Sequence, residues 1–271
     1  YLQCPLKFRV STVDKMVQPP TEATVKGTVV HDVLEHLFDV PAAGRTPGSA
    51  LALLEPAWQR TLDRDQGAAL LFSDTDRLAR AKADTEELVE GYFQLENPAR
   101  LQPKGREKFI DVRLDTGVLL RGIVDRIDEA PDGALRVIDY KTGKAPDPRF
   151  TKDALFQMRF YALLLRESWR LPARLQLLYV RHGKVLTLDP DPRDIEQFDQ
   201  ELGVLWRRIK SDALAGQFRT QPSRLCDWGA VKDMCPAFGG TPPPLPEDGR
   251  ARLLAIEESK AEGPADQLPA S

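Results

Sequence analysis

Between Arg121 and Lys141, apolar and polar residues alternate with period two on either side of one turn. Ile123, Asp125 and Ile127 alternate with Val124 and Arg126; Val137, Asp139 and Lys141 alternate with Ile138 and Tyr140. This alternation predicts half-buried strands at 117–128 and 134–141. Glu129-Ala130-Pro131-Asp132-Gly133 has the chemistry of a tight reversal, so the arms form a hairpin, with another strand before it at 107–114. Elsewhere the repeat is helical. Val30, Leu34, Leu37 and Phe38 form one apolar stripe, and Leu155, Met158, Ala162 and Leu165 form another. Residues 41–104, between Pro-rich boundaries, read as a helical insertion or flanking bundle, with helices at 51–64 and 74–95. A second hairpin spans 175–181 and 185–188 over His182-Gly183, and 194–214 is an amphipathic helix. Residues 240–271 turn Pro-rich and then polar, which reads as a tail with one short helix at 248–260.

Composition narrows the class. A chain of 271 residues with 42% hydrophobic content supports one large core or two small ones. The first residue is Tyr1 rather than methionine, which suggests that a short N-terminal piece is absent. There is no membrane-length apolar run and no signal peptide, so a cytoplasmic protein with no membrane partner is expected. The net charge of −3, from 38 basic and 41 acidic residues, argues against bulk electrostatic binding of nucleic acid. Local cations remain: Lys7, Arg9, Lys26, Arg126, Lys144, Arg149, Lys152 and Arg159, most of which read as solvated surface charges. No Walker A loop is present, so the chain carries no helicase or ATPase of its own.

The hairpin holds the candidate chemistry. Asp139 and Lys141 point to one face of their strand, about 6.6 Å apart, and Asp125 can sit beside them on the neighbouring arm. Two carboxylates and an ammonium converging there suit a hard divalent metal and an activated water. The longer pattern Gly122-Ile-Val-Asp125-Arg126-Ile-Asp128 followed by Asp139-Tyr-Lys141-Thr-Gly143 resembles the RecB-like branch of the PD-(D/E)XK nuclease superfamily. Two flanking elements extend the resemblance: Gly27-Thr-Val-Val-His31 upstream, and Gln157-Met-Arg-Phe-Tyr161 downstream. It covers most of residues 1–238.

The resemblance implies an α/β (α+β) fold with a restriction-endonuclease-like core, a central mixed sheet flanked by helices, in one domain spanning 1–239. It implies that His31 joins Asp125 and Asp139 around Mg²⁺ or Mn²⁺, that the Tyr140 carbonyl adds a ligand, and that Lys141 orients or helps deprotonate the attacking water. Gln157 and Tyr161 would face the same site. Glu35, one turn from His31, either orients it, touches the metal through water, or is solvated.

Relatives of the AddB and CRISPR-adaptation type carry an iron–sulfur clasp, one cysteine before the core and three after it. Cys4, Cys226 and Cys235 match that frame, but Gly229 stands where the remaining cysteine belongs. A [4Fe–4S] cluster takes four thiolates. The open alternatives are a lost cluster with the cysteines packed in the core, a cluster completed by Asp227 or water, and an introduced glycine. A three-cysteine zinc site and a Cys4–Cys226 or Cys4–Cys235 disulfide are further options. The implied function is a metal-dependent DNA nuclease, a single-strand-preferring exonuclease of repair or recombination, acting on free DNA ends beside a separate helicase or repair protein. The alternatives are a structure-specific or CRISPR-adaptation-type endonuclease, and a non-catalytic DNA-binding partner of a helicase.

Overall fold

The computed structural model describes residues 1–147, 151–223, 226–227 and 231–257. Its helices are α1 (Pro5–Phe8), α2 (Glu22–Leu37), α3 (Pro47–Ala52), α4 (Leu54–Arg64), α5 (Gln66–Leu71), α6 (Thr75–Tyr92), α7 (Lys152–Ser168), α8 (Pro192–Ala215) and α9 (Glu247–Leu254). Its strands are β1 (Pro103–Arg113), β2 (Leu119–Glu129), β3 (Leu135–Lys141), β4 (Arg174–Tyr179) and β5 (Lys184–Leu188). The chain divides into two compact units. One comprises Pro20–Val112 and Leu120–Phe198; the other comprises Tyr1–Pro19, Arg113–Leu119 and, among the described residues, 199–257. Among the described residues, no helix is long and apolar enough to cross a membrane.

The first unit holds the sheet, in the order β1-β2-β3-β4-β5. β2 and β3 pair antiparallel, β3 and β4 parallel, β4 and β5 antiparallel. This is the expected mixed sheet flanked by helices. The β2–β3 turn closes as its residues require: Gly133 takes φ 83°, and Asp132 Oδ1 accepts the Ala134 N–H at 3.0 Å. A parallel pair needs a crossover, and α7 supplies it between β3 and β4.

Between α2 and β1 the chain forms α3, α4, α5 and α6. α2, α3, α4 and α6 share one core with Ile138, Tyr140, Leu178 and Val180 of the β3–β4 region. In α2, Val29, Val30, Val33, Leu34 and Leu37 are all fully buried. Burying side chains of that size contributes about 1.5–3 kcal/mol each. α2 starts with a capping box between Thr21 and Thr24, and Asp74 caps α6 through the Arg77 N–H. α6 comes very close to residue 180: a Cβ on Gly91 would lie 2.3 Å from the Val180 carbonyl oxygen. α7 buries Met158, Ala162 and Leu163 to Leu165, and Gly122 of β2 fits against Leu164 and Phe160.

Arg126 differs from its reading as a local surface cation. It is 0% exposed. Its guanidinium meets both Glu96 oxygens (2.9 and 2.8 Å), Asp128, and the Tyr140 hydroxyl (2.7 Å), and lies over the Phe38 ring. A planar five-donor cation is the side chain able to bind this many buried acceptors at once.

The second unit gathers the two ends of the described chain. The Leu6 N–H donates to the Arg219 carbonyl (3.1 Å) and the Tyr1 hydroxyl to Asp212 (2.6 Å). Arg9, another of the candidate cations, is 5% exposed and binds Asp14 and the Pro243 carbonyl. Part of the segment read as a tail is therefore packed: α9 starts at Glu247, and its Leu253 is 5% exposed. The remainder of that segment, 258–271, lies outside the described residues.

Candidate active site

The site begins where β2 and β3 stop pairing regularly. Their ladder register runs from Glu129↔Leu135 to Arg126↔Ile138. Just beyond it, the Tyr140 N–H is taken by a side chain, Asp125 Oδ2, at 2.7 Å. The carbonyl of Tyr140 accepts from His31 Nε2 at 2.9 Å. A carbonyl can only accept, so Nε2 carries a proton, and Nδ1 is the ring nitrogen left to face the site. That nitrogen faces Asp125 Oδ2 at 3.4 Å and Glu107 Oε1 at 3.9 Å. α2 thus delivers His31 to the hairpin from its buried apolar stripe, and Tyr140 orients the ring.

His31, Glu107 and Asp125 form the one group of metal-capable side chains found among the described residues, their ligand atoms within 4.8 Å of one another. Glu107 is new relative to the sequence reading. It sits in the charged run Lys104-Gly-Arg-Glu107-Lys108, whose lack of apolar alternation reads as a solvated edge. Its backbone lies in the left-handed region at φ 42°, a conformation that costs a non-glycine residue about 1 kcal/mol or more.

Electrostatics mark the same group. Burial, then the charge of Asp139, pushes Asp125 up to about 7; the Tyr140 N–H and Lys141 oppose this. Burial, then Asp125, pushes Glu107 up to about 7 as well. Two clustered carboxylates that resist ionisation are a site short of positive charge. One imidazole nitrogen with carboxylate oxygens suits Mg²⁺ or Mn²⁺.

Asp139 adjoins this group. Lys141 Nζ lies 2.5 Å from its Oδ2, and Gln157 Nε2 donates to its Oδ1 at 2.8 Å. Gln157 also reaches the Tyr161 hydroxyl at 3.5 Å, and that hydroxyl donates to the Ile123 carbonyl at 3.0 Å. Burial raises the Tyr161 phenol well above its ordinary value. The structure therefore places His31, Asp125 and Tyr140 in one contact set with Glu107, and Asp139, Lys141, Gln157 and Tyr161 in a second beside it. Glu35 uses its main-chain carbonyl to accept from Arg106. Of the other candidate cations, Lys26 pairs with Asp84 and Arg159 with Asp194, while Arg149 lies outside the described residues.

In the other unit, Cys4, Cys226 and Cys235 line one cavity with Leu6, Val231 and Phe238. All three are free thiols, and none is joined in a disulfide. Asp227 pairs with Lys232 at 2.6 Å, and Gly229 lies outside the described residues. Three thiols do not fit a closed [4Fe–4S] cluster, and no chemistry is assigned to that cavity.

Comparison with known proteins gives the family. The model of the PD-(D/E)XK nuclease superfamily matches residues 1–236. The chain is 25% identical over 267 residues to the Gene 69 protein of Mycobacterium phage D29, covering 88% of this chain and 94% of that protein. It is 41% identical over 49 residues to one subunit of the ATP-dependent helicase/deoxyribonuclease of Streptococcus mutans, covering 18% of this chain and 4% of that protein.

Proposed function

The chain belongs to the PD-(D/E)XK nuclease superfamily, a metal-dependent nuclease with DNA as its substrate, and we propose that it is an exonuclease working from single-stranded DNA ends. The observation that carries this reading is the convergence of His31, Glu107 and Asp125 beside the Asp139–Lys141 pair. We assign His31, Glu107, Asp125 and Asp139 to holding Mg²⁺ or Mn²⁺, with the Tyr140 carbonyl at its edge. When bound, the metal supplies charge neutralisation at the scissile phosphate and a lowered pKa for a bound water. The remaining work falls to the protein. Lys141, at the margin of the carboxylates, orients the attacking water and donates to a phosphoryl oxygen as charge builds there. Gln157 holds Asp139, and Tyr161 ties α7 to β2 at Ile123. The short likeness to a helicase/deoxyribonuclease favours a role in repair or recombination beside a separate helicase.

The test is cleavage of end-labelled single- and double-stranded DNA with Mn²⁺, Mg²⁺ or EDTA, run beside Lys141→Ala. A metal-dependent ladder from single-stranded ends, lost in the variant, is expected. Internal cuts at branched substrates would replace the exonuclease assignment with a structure-specific endonuclease. No cleavage with DNA still bound would leave a binding partner of a helicase.

A further inference from the structure

We propose that Phe109 and Ile123 form a stacking platform for the nucleobase next to the scissile phosphate, and that Arg121 holds the following backbone phosphate. This rests on the nuclease reading above and specifies how the site would select single strands. Arg121 Nε lies 3.6 Å from Asp111 Oδ2 across β1 and β2. In an antiparallel pair, one step forward on a strand matches one step back on its neighbour. Together with the Leu114 N–H to Val118 carbonyl bond that closes the β1–β2 turn, the contact sets Phe109 opposite Ile123. Beyond that pair, Glu107 and Asp125 come together at His31 Nδ1.

Phe109 and Ile123 are thus cross-strand neighbours, each two residues from a metal-binding carboxylate, or about 7 Å along a strand. Both are open to solvent, at 42% and 49% exposure. Beside them, Ile110, Asp111, Val112 and Val124 are buried, and Lys108 and Gly122 are half-buried. An exposed aromatic and a β-branched residue, paired across two strands with buried neighbours, make a firm apolar shelf. The Tyr161 hydroxyl fixes it from below through the Ile123 carbonyl. Arg121, with its side chain 52% exposed, closes the row with a positive charge one further pair along.

Every base has an apolar π-face, so such a shelf accepts any sequence. A paired base already has both faces covered by its neighbours, so the shelf takes an unstacked strand. Two residues are far too small an area for a stable protein partner, which leaves the substrate already bound at the adjoining carboxylates as the occupant.

The experiment compares wild type, Phe109→Ala, Phe109→Tyr and Arg121→Ala on fluorescent single-stranded oligonucleotides. A matched series carries one abasic residue at successive positions, and blunt duplex is the control. Both kcat and KM are measured, with binding followed by anisotropy and folding by thermal melting. Loss of one stacked base weakens binding by roughly tenfold to a hundredfold. Phe109→Ala is expected to raise KM and Kd for single strands by that factor with kcat little changed. The defect should vanish on the oligonucleotide abasic at the stacked position, and Phe109→Tyr should recover affinity. Arg121→Ala should weaken binding at low salt more than at high salt. A folded Phe109→Ala variant with wild-type KM and Kd on all substrates would overturn the platform and leave the nuclease reading intact. Wild type that cleaves nothing, while the Phe109 and abasic effects persist in binding, would overturn the nuclease reading instead.

Discussion

Replacing Arg126 with methionine tests whether the site hangs on a buried ion network. The substitution keeps most of the volume and removes the charge and all five donors. It leaves Glu96 and Asp128, with side chains 8% and 13% exposed, without their main cation. Removing one partner of a buried pair typically costs about 3–5 kcal/mol, because the other charge stays desolvated. Arg136 still reaches Glu96 at 3.1 Å and Asp128 at 2.7 Å, so the low end, about 3 kcal/mol, is expected. In a chain of this size that lowers Tm by roughly 6–10 °C. Urea and thermal melts followed by circular dichroism would measure it. The active site should suffer too, since Arg126 anchors the Tyr140 hydroxyl, and the Tyr140 backbone holds His31 and Asp125. A folded variant should therefore need more metal for half-maximal activity. A loss under about 1 kcal/mol, with weakened DNA binding instead, would refute the network and restore Arg126 as a phosphate contact.

Further tests address the rest of the site. Lys141→Met should lower kcat at least a hundredfold while metal binding, read by calorimetry, stays within about threefold, since Lys141 touches Asp139 but contributes no ligand. With Asp125 and Glu107 raised to about 7, the folded protein holds protons that the unfolded chain releases near pH 4. Metal-free stability should accordingly fall as pH rises from about 4 to about 7. Added Mn²⁺ should raise Tm more at pH 8 than at pH 5.5, and a flat response would contradict the clustering of the carboxylates. Glu107→Gln should weaken metal binding and relieve part of the metal-free pH dependence. Gly91→Ala should cost about 2 kcal/mol or more in a urea melt, because its Cβ would meet the Val180 carbonyl at 2.3 Å.

The sequence was most legible where one local repeat carried the whole message. Alternation placed both arms of the hairpin, and the i, i+4 stripes placed α2, α6 and α7. The site residues on those elements follow from the repeat plus the motif. Glu107 escaped because its strand is too charged to alternate and its backbone leaves the strand region at that residue. Arg126 was misread for another reason. Its partners Glu96 and Tyr92 lie 30 and 34 residues away in sequence, and no local pattern says that the end of α6 and the residues after it will meet β2. Arg9 hid in the same way, since its acceptor Pro243 stands at the far end of the described chain. Non-local contacts decide whether an arginine is surface or core, and hydropathy windows do not see them.

Both main-chain groups of Tyr140 are in use at the site, the N–H by Asp125 and the carbonyl by His31. Side-chain mutation reaches neither of them directly. Among encoded residues only proline deletes a backbone donor, and none deletes the acceptor. The centre thus keeps part of its framework beyond the reach of ordinary missense change. An inheritable loss there has to act through its partners or by displacing β3 itself, and replacing the amide with an ester at this peptide link is the chemical way to remove one contact and spare the rest.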